Sequence, residues 1–284
     1  MIILGIFLSY KKLEKTKLKI TEKDFIHLIV KETSIYEEKN IIEEVVERAI
    51  KASNPIKWMN YDYQKYVTKE KEQPVIEIEK EIKPTIYLYN SHQTEEYASS
   101  NYAEFSVNPT VMMTDYILED YFQKNDYKAI VEETSIKEIL NQHNWSYSNS
   151  YKASRLLLEQ RIIEYPTLKY FIDIHRDSLK KEKTTITIDD KKYAKILFIV
   201  GLENNNYIEN LNFTEKINNK LQENYPGLTK GIYKKSGPGV NGVYNQDFSK
   251  NAILVEIGGY ENTTTEVLNS SLAFARTFLE VIHE

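Results

Sequence analysis

Three apolar runs of the sequence deliver side chains that can bind a metal or move a proton. The run IYLYNSH ends at His92, the run FIDIH ends at His175, and the run ILVEI holds Glu256 between two apolar residues. Glu95 follows His92 in an H-x-x-E spacing, which puts both side chains on one side of a turn or a first helical turn. Two imidazoles and a carboxylate make a three-ligand zinc site that leaves a position for water. The sequence therefore predicts His92, Glu95 and His175 as metal ligands.

Glu256 is predicted to be the catalytic carboxylate of this site. An acid within a buried strand needs a partner, because an ionised carboxylate is costly to remove from water. Near a metal-activated water, such an acid can accept a proton and pass it to a leaving amine. The alternative is that each of these side chains is a hydrogen-bonded structural residue at the end of a strand.

The residues around His175 also suit a polar site. Asp173 and Asp177 bracket it, so either one can orient the imidazole through its second nitrogen. Arg176 can pair with one of these acids or bind an anionic group of a substrate. Residues 236–246 (SGPGVNGVYNQ), here called the rim loop, hold three of the nine glycines. This loop is either a substrate-binding loop or an ordinary surface connection.

The elements that must position these residues begin at Pro84, where strand-like apolar runs start to alternate with amphipathic segments. This alternation is typical of an α/β fold, in which sites lie outside the carboxyl ends of the strands. The predicted strands are 86–89, 127–131, 168–174 and 253–257, a hairpin is predicted over 183–200, and the predicted helices are 108–123, 150–163, 206–225 and 263–283.

The first 83 residues are predicted to form a helical extension and a charged linker, before a catalytic domain over residues 84–284. Helical patterns lie within residues 21–53, and the charged segment 63–83 contains Pro74. The apolar run of residues 1–10 is too short to span a bilayer, which needs roughly 20 apolar residues. We interpret it as a strand or buried segment, or else as the remnant of a membrane anchor or export signal.

Composition excludes several classes of function. The chain carries 37 basic and 42 acidic residues, a net charge of −5, which argues against nucleic acid as a partner. It contains no cysteine, so disulfides, thiolate metal sites and cysteine nucleophiles are excluded. Any metal site must therefore combine a few of the five histidines with carboxylates.

Several blocks of the sequence resemble the stage II sporulation protein P family, which is similar to zinc N-acetylmuramoyl-L-alanine amidases. They are SHQTEEY (91–97), YFIDIHRDS (170–178), TTITIDDKKYAKILFIVG (184–201), NYPGLTKGIY (224–233), VYNQDFSKNAILVEIGG (243–259) and ENTTTE (261–266). In this resemblance, His92 and His175 match the two histidine ligands and Glu256 matches the catalytic acid. Glu95 has the offset of the acidic ligand, and Glu104 is the alternative.

The resemblance implies a three-layer α/β sandwich with a mixed, mostly parallel sheet flanked by helices. It also implies that zinc and Glu256 remove stem peptides from peptidoglycan during engulfment of the forespore. We expect Arg176 to help zinc stabilise the oxyanion of the tetrahedral intermediate. An endopeptidase activity on crosslinks is implied as well. The expected location is the extracytoplasmic face of the cell envelope, and the expected partners are other engulfment proteins, including a lytic transglycosylase.

Two other functions remain open from the sequence. Zinc carboxypeptidases also combine an H-x-x-E pair, a later histidine and a glutamate, but they need an arginine pocket for the substrate's terminal carboxylate. The arginines available downstream of the metal motif are Arg155, Arg161, Arg176 and Arg276. The third possibility is a cell-wall-binding protein without catalytic activity.

Overall fold

The computed structural model describes residues 82–98 and 109–283, in which a six-stranded sheet carries helices on both faces. The strands are β1 (Ile86–Tyr89), β2 (Ala129–Val131), β3 (Tyr170–Asp177), β4 (Thr185–Ile188), β5 (Lys191–Ala194), β6 (Ile196–Gly201), β7 (Thr229–Lys235) and β8 (Ala252–Gly259). The helices are α1 (Met112–Lys124), α2 (Ile136–Gln142), α3 (Ser150–Glu164), α4 (Lys181–Thr184), α5 (Tyr207–Asn224) and α6 (Thr264–His283).

The order of strands in the main sheet is β2-β1-β3-β8-β6-β7. The first four strands are parallel to one another, β6 is antiparallel to β8, and β7 is parallel to β6. The carboxyl ends of β1, β3 and β8 therefore meet at one edge of the sheet. This architecture confirms the predicted three-layer α/β sandwich with a mixed, mostly parallel sheet.

Helices cover both faces because the central strands are apolar on both sides, as parallel strands usually are. On one face, Tyr87 and Phe171 pack in a buried cluster with Leu158 of α3. On the other face, Phe198 of β6 lies 6.3 Å from Phe274 of α6, measured between ring centroids. Helices α1 and α5 pack with α6 on this second face. The site described below lies on the α3 side.

The hairpin predicted over residues 183–200 is wrong in its second half. Strands β4 and β5 do pair as a separate two-stranded sheet, but β6 joins the main sheet between β8 and β7. The chain changes sheets at Lys195, whose N–H donates to Thr184 and whose carbonyl accepts from Gly258. The apolar run YAKILFIV thus contains two strands, which its continuous hydrophobicity concealed.

Strand β7 and helices α2 and α4 were absent from the sequence-based prediction. Strand β7 reads TKGIYKK and lies at the edge of the sheet, where polar residues are tolerated, so it lacked an apolar signal. Helix α2 is only seven residues long, and its N-terminus is capped by Ser135, which accepts a hydrogen bond from the N–H of Glu138.

The N-terminal extension predicted over residues 1–83 lies outside the described residues, apart from residues 82 and 83, so the domain boundary stays a prediction. Within the part of the chain that the structure describes, no helix is both long enough and apolar enough to cross a membrane.

A buried ion pair joins the β1 side of the sheet to α3. The Glu132 side chain is only 1% exposed, and both of its oxygens accept hydrogen bonds from Arg161, at 2.7 and 3.0 Å. The hydroxyl of Tyr87 donates to the same carboxylate at 2.7 Å, and the N–H of Thr134 donates at 2.8 Å. Burial raises the pKa of Glu132, but the hydrogen bonds from Arg161 and its other donors outweigh burial and hold it below its ordinary value.

We predict that Arg161→Met lowers the free energy of unfolding by roughly 2–4 kcal/mol, because it leaves a buried carboxylate without its counter-charge. Urea unfolding measures the loss. Glu164→Gln is the matched control, since it removes the exposed partner of the same guanidinium, and it should change the free energy of unfolding far less than Arg161→Met does. Equal effects of the two variants would contradict this interpretation.

The same pair predicts a dependence of stability on pH. Because the pKa of Glu132 is lower in the folded protein, its contribution is complete above its unfolded pKa of about 4.3. The contribution is lost as the pH falls through the lower, folded pKa. The difference in unfolding free energy between wild type and Arg161→Met should therefore shrink below about pH 4.

Candidate metal centre

The turn after β1 brings His92 and Glu95 to the same side. The N–H of Glu95 donates to the carbonyl of His92 at 3.1 Å, which closes the turn. The turn is joined to β3 through Ser91, whose N–H and hydroxyl donate to Asp173 at 2.9 and 2.7 Å. Because β1 and β3 are parallel neighbours, His175 of β3 reaches the same edge.

His92, Glu95 and His175 form a compact group of potential metal ligands. Their ligand atoms all lie within 4.8 Å of one another, and both imidazole Nδ1 atoms lie 3.6 Å from an oxygen of Glu95. These distances are too long for hydrogen bonds. They are close to the ~3.4 Å that separates ligand atoms around a tetrahedral metal with bonds of ~2.1 Å. The three residues therefore fit a metal ion, and Glu104 lies outside the described residues.

The charges around the group favour a cation. Burial lowers the pKa of His175, but the carboxylates of Asp173 and Glu95 outweigh it and raise that pKa to about 10. Burial likewise raises the pKa of Glu95, yet the facing imidazoles of His175 and His92 hold it well below its usual range. The N–H of Arg176 donates to Glu95 at 2.9 Å and fixes one oxygen. Together these groups attract positive charge, whether a proton or a metal ion.

Of the two acids that bracket His175, Asp173 is the one that contacts the imidazole. Its Oδ1 lies 2.9 Å from Nε2 of His175, which leaves Nδ1 directed at Glu95. Such contacts set the orientation and basicity of a histidine ligand. Asp177 instead pairs with Lys230 at 2.5 Å and accepts from the N–H of Leu179.

Glu256 lies beside the three proposed metal ligands, on the strand next to that of His175. It is the register partner of His175 in the parallel β3–β8 pair, so both side chains project from the same face. No described residue donates a hydrogen bond to its carboxylate. Burial and the nearby Asp177 raise the pKa of Glu256, while His175 and Lys235 act in the opposite direction. A partly buried carboxylate without a fixed partner is suited to exchanging a proton.

Two tyrosines that the sequence interpretation missed enclose His92. The ring of Tyr147 stacks on the imidazole at 4.9 Å, and the ring of Tyr151 meets it edge-on at 5.4 Å. Tyr151 also stacks on His175 at 6.2 Å. Their positions just before and at the start of α3 placed them near no predicted strand end, so spacing could not have assigned them to the site.

A cavity of about 590 Å³ opens over these residues. His92, Glu95, His175, Arg176 and Glu256 all line it, so the predicted ligands and the predicted catalytic residues share one space. The rim loop also lines it, through Gly239, Val240, Asn241 and Tyr244, as expected of a substrate-binding loop. The residues that sequence reasoning missed include Tyr151, Lys230, Tyr233 and Lys235.

The guanidinium of Arg176 is attached to the backbone at the edge of this cavity. Its Nε donates to the carbonyl of Glu96 at 2.8 Å, and a second nitrogen donates to the carbonyl of Asp177 at 3.3 Å. Arg155 is paired with Asp247. Among the arginines of residues 82–98 and 109–283, only Arg176 lines the cavity.

Comparison with known proteins identifies a family. Residues 9–279 match the family model of the stage II sporulation protein P (SpoIIP). The chain is 34% identical over 206 residues to the stage II sporulation protein P of Bacillus subtilis (strain 168). This match covers 70% of the chain and 51% of that relative, so the chain spans about half the length of the relative.

Solved structures with a similar arrangement are more distant. The CwlD amidase from Clostridioides difficile, solved in complex with the GerS lipoprotein, is 10% identical with a TM-score of 0.46, covering 70% of this chain and 98% of its own. An N-acetylmuramoyl-L-alanine amidase from Clostridium difficile 630 is 14% identical with a TM-score of 0.42, covering 71% of this chain and 95% of its own.

We predict that the chain binds one divalent metal ion, and that His175→Ala and Glu95→Gln abolish binding because each removes a ligand. Asp173→Asn should weaken affinity by roughly 10–100-fold, the usual effect of losing a partner that orients a ligand. Metal content after dialysis, and competition with a chelator, provide the measurements.

Asp177→Asn is the matched control for Asp173→Asn, because Asp177 flanks His175 but pairs with Lys230. It should keep nearly normal metal affinity. If Glu95→Gln bound metal like the wild type while Glu104→Ala lost it, the acidic ligand would be Glu104 instead.

Proposed function

Because this chain belongs to the stage II sporulation protein P family, we propose that it is a zinc-dependent peptidoglycan amidase. It cleaves the amide bond between N-acetylmuramic acid and the L-alanine of the stem peptide. The observation that carries the proposal is the convergence of His92, Glu95 and His175 beside Glu256 in one open cavity. Three metal ligands and an adjacent carboxylate are the groups that a zinc enzyme needs to hydrolyse an amide.

Zinc suits two imidazoles and one carboxylate, and when bound it supplies a Lewis acid that polarises the scissile carbonyl and acidifies water. The chain's own residues supply the rest. The carboxylate of Asp173 lies 2.9 Å from Nε2 of His175, which leaves Nδ1 toward Glu95. The N–H of Arg176 holds Glu95. These contacts fix the ligand atoms before a substrate arrives, which limits reorganisation during the reaction.

Glu256 acts first as a general base and then as a general acid. It accepts the proton of the attacking water and returns it to the amine of L-alanine, which then leaves as a neutral group. Burial and Asp177 raise its pKa, so its protonated form is accessible for the second step. Arg176 lines the same cavity, and we assign it to the developing negative charge on the carbonyl oxygen.

The zinc carboxypeptidase alternative is less well supported. Such an enzyme needs an arginine that binds the terminal carboxylate of its substrate beside the metal. Arg155 and Arg161 are paired with Asp247 and Glu132, and neither lines the cavity. Arg176 does line it, but its guanidinium already donates to the carbonyls of Glu96 and Asp177. The third reading, a cell-wall-binding protein without catalysis, leaves the position of Glu256 unexplained.

Because of its family, we propose that this activity serves sporulation. We propose that the chain acts at the extracytoplasmic face of the cell envelope during engulfment, on peptidoglycan. Removal of stem peptides leaves bare glycan strands, so a lytic transglycosylase that cuts glycan is the complementary activity. An endopeptidase activity on crosslinks belongs to the same proposal.

Glu256→Gln should keep zinc and lose on the order of 10²–10⁴-fold in turnover, because it preserves shape but removes the oxygen that exchanges a proton. Glu261→Gln is the control, since Glu261 accepts a hydrogen bond from the N–H of Lys181 and does not line the cavity. Turnover of Glu256→Gln within a few-fold of wild type would show that another group moves the proton. Loss of zinc from this variant would make Glu256 a ligand.

The products identify the bond that is cleaved. Digested peptidoglycan should yield peptides with a free L-alanine amine and glycan strands without peptides, both measurable by mass spectrometry. Release of single C-terminal amino acids alone would favour the carboxypeptidase alternative. Binding to peptidoglycan without release of any product would favour a cell-wall-binding protein without catalytic activity.

A further inference from the structure

The order of strands shows on which side of the site the leaving peptide lies. The ligands come from the turn after β1 and from β3, Glu256 comes from β8, and β6 and β7 lie beyond β8. In the proposed function, on which this inference rests, Glu256 returns its proton to the leaving amine. In that reaction the amine lies next to Glu256, and a peptide that leads away from the ligands would extend over β6 and β7.

The cavity continues in that direction. Leu197 and Ile199 of β6 line it, followed by Tyr233 and Lys235 of β7, while Tyr244 of the rim loop covers β6. Tyr233 is 63% exposed and Lys235 is half-buried. This part of the cavity, here called the β7 arm, is an open groove with apolar walls and a cation at one side.

Lys235 differs from the other cations of the cavity. Lys230 is neutralised by Asp177, and the guanidinium of Arg176 donates to the carbonyl of Glu96. Within the described residues, no carboxylate lies within ion-pair distance of Lys235 and its ammonium makes no hydrogen bond. Its Nζ lies 6.0 Å from the centre of the Tyr244 ring, and its charge acts to lower the pKa of Glu256.

The rest of the cavity would repel an anionic peptide. Glu95, Asp177 and Glu256 all line it, and a peptide that carries carboxylates has to enter beside them. A metal would compensate Glu95, Lys230 compensates Asp177, and Arg176 is assigned above to the scissile carbonyl oxygen. Lys235 is therefore the cation that remains for the leaving peptide. A half-buried lysine beside an apolar wall forms stronger charge-assisted hydrogen bonds than one in open water.

We propose that Lys235 binds a carboxylate of the leaving peptide and so makes the β7 arm selective for stem peptides with free carboxylates over amidated ones. Lys235 forms this contact equally in the bound substrate and in the transition state, because it lies away from the scissile bond. Its loss therefore acts on substrate affinity more than on turnover.

The experiment uses two muramyl dipeptides, N-acetylmuramoyl-L-alanyl-D-glutamate and its form with both glutamate carboxylates amidated. For the zinc-loaded wild type, KM should be lower for the free carboxylates. Lys235→Met should raise that KM roughly 10-fold, with kcat changed by less than about 3-fold, and leave the KM for the amidated form nearly unchanged. Zinc content is measured in parallel.

Lys234→Met is the matched control. Lys234 is the adjacent residue of β7, but it pairs with Glu215 of α5 on the opposite face at 3.8 Å. It should leave both KM values unchanged. An equal effect of Lys235→Met on both substrates, or the same effect from Lys234→Met, would overturn the inference. If the wild type cleaved neither dipeptide and also cleaved no amide bond of intact peptidoglycan, the proposed function would be overturned instead.

Discussion

Asp173 connects the parts of the site that come from different strands. Its carboxylate is fully buried on β3, accepts two hydrogen bonds from Ser91 after β1, and lies 2.9 Å from Nε2 of His175. A buried carboxylate is tolerated only with such partners, so the turn after β1 and the imidazole are both held by the need to satisfy it. This turn carries His92 and Glu95. One desolvated charge thus fixes the positions of all three proposed ligands.

Carboxylates are concentrated around the proposed ligands. Asp173 and Glu95 lie beside His175 and raise its pKa, and Glu256 lies on the neighbouring strand. A divalent cation bound by these ligands would take over the role of the proton on His175. Metal binding should therefore be coupled to the stability of the turn after β1 and of the carboxyl end of β3, as it is in many metal-dependent proteins. In the groove over β6 and β7, Lys235 is the cation that we propose for binding the substrate.

The features of the site that could be read from the sequence were those tied to strong apolar strands. His92 and His175 lie at the ends of such runs, and Glu256 lies within one. Because the strands are parallel, the sequence predicted that the three residues meet at one edge of the sheet. Strand β7 could not be read, because TKGIYKK is a polar edge strand, and Lys235 was missed with it. The choice of Asp173 over Asp177 depended on Ser91 and Lys230, partners 82 and 53 residues away, which spacing does not reveal. The chemical roles of the five predicted site residues stay predictions: His92, Glu95 and His175 as ligands, and Glu256 and Arg176 in catalysis.

The dependence of product release on bound zinc tests the account most directly. Metal-free protein is titrated with zinc, and peptides with a free L-alanine amine are counted after digestion of purified peptidoglycan. We expect release to be absent without metal, to rise in proportion to zinc, and to level off at one zinc per chain. Release of the same peptides by metal-free protein, or saturation at one zinc with no amide cleaved, would contradict the assignment of this site as the centre of a zinc amidase.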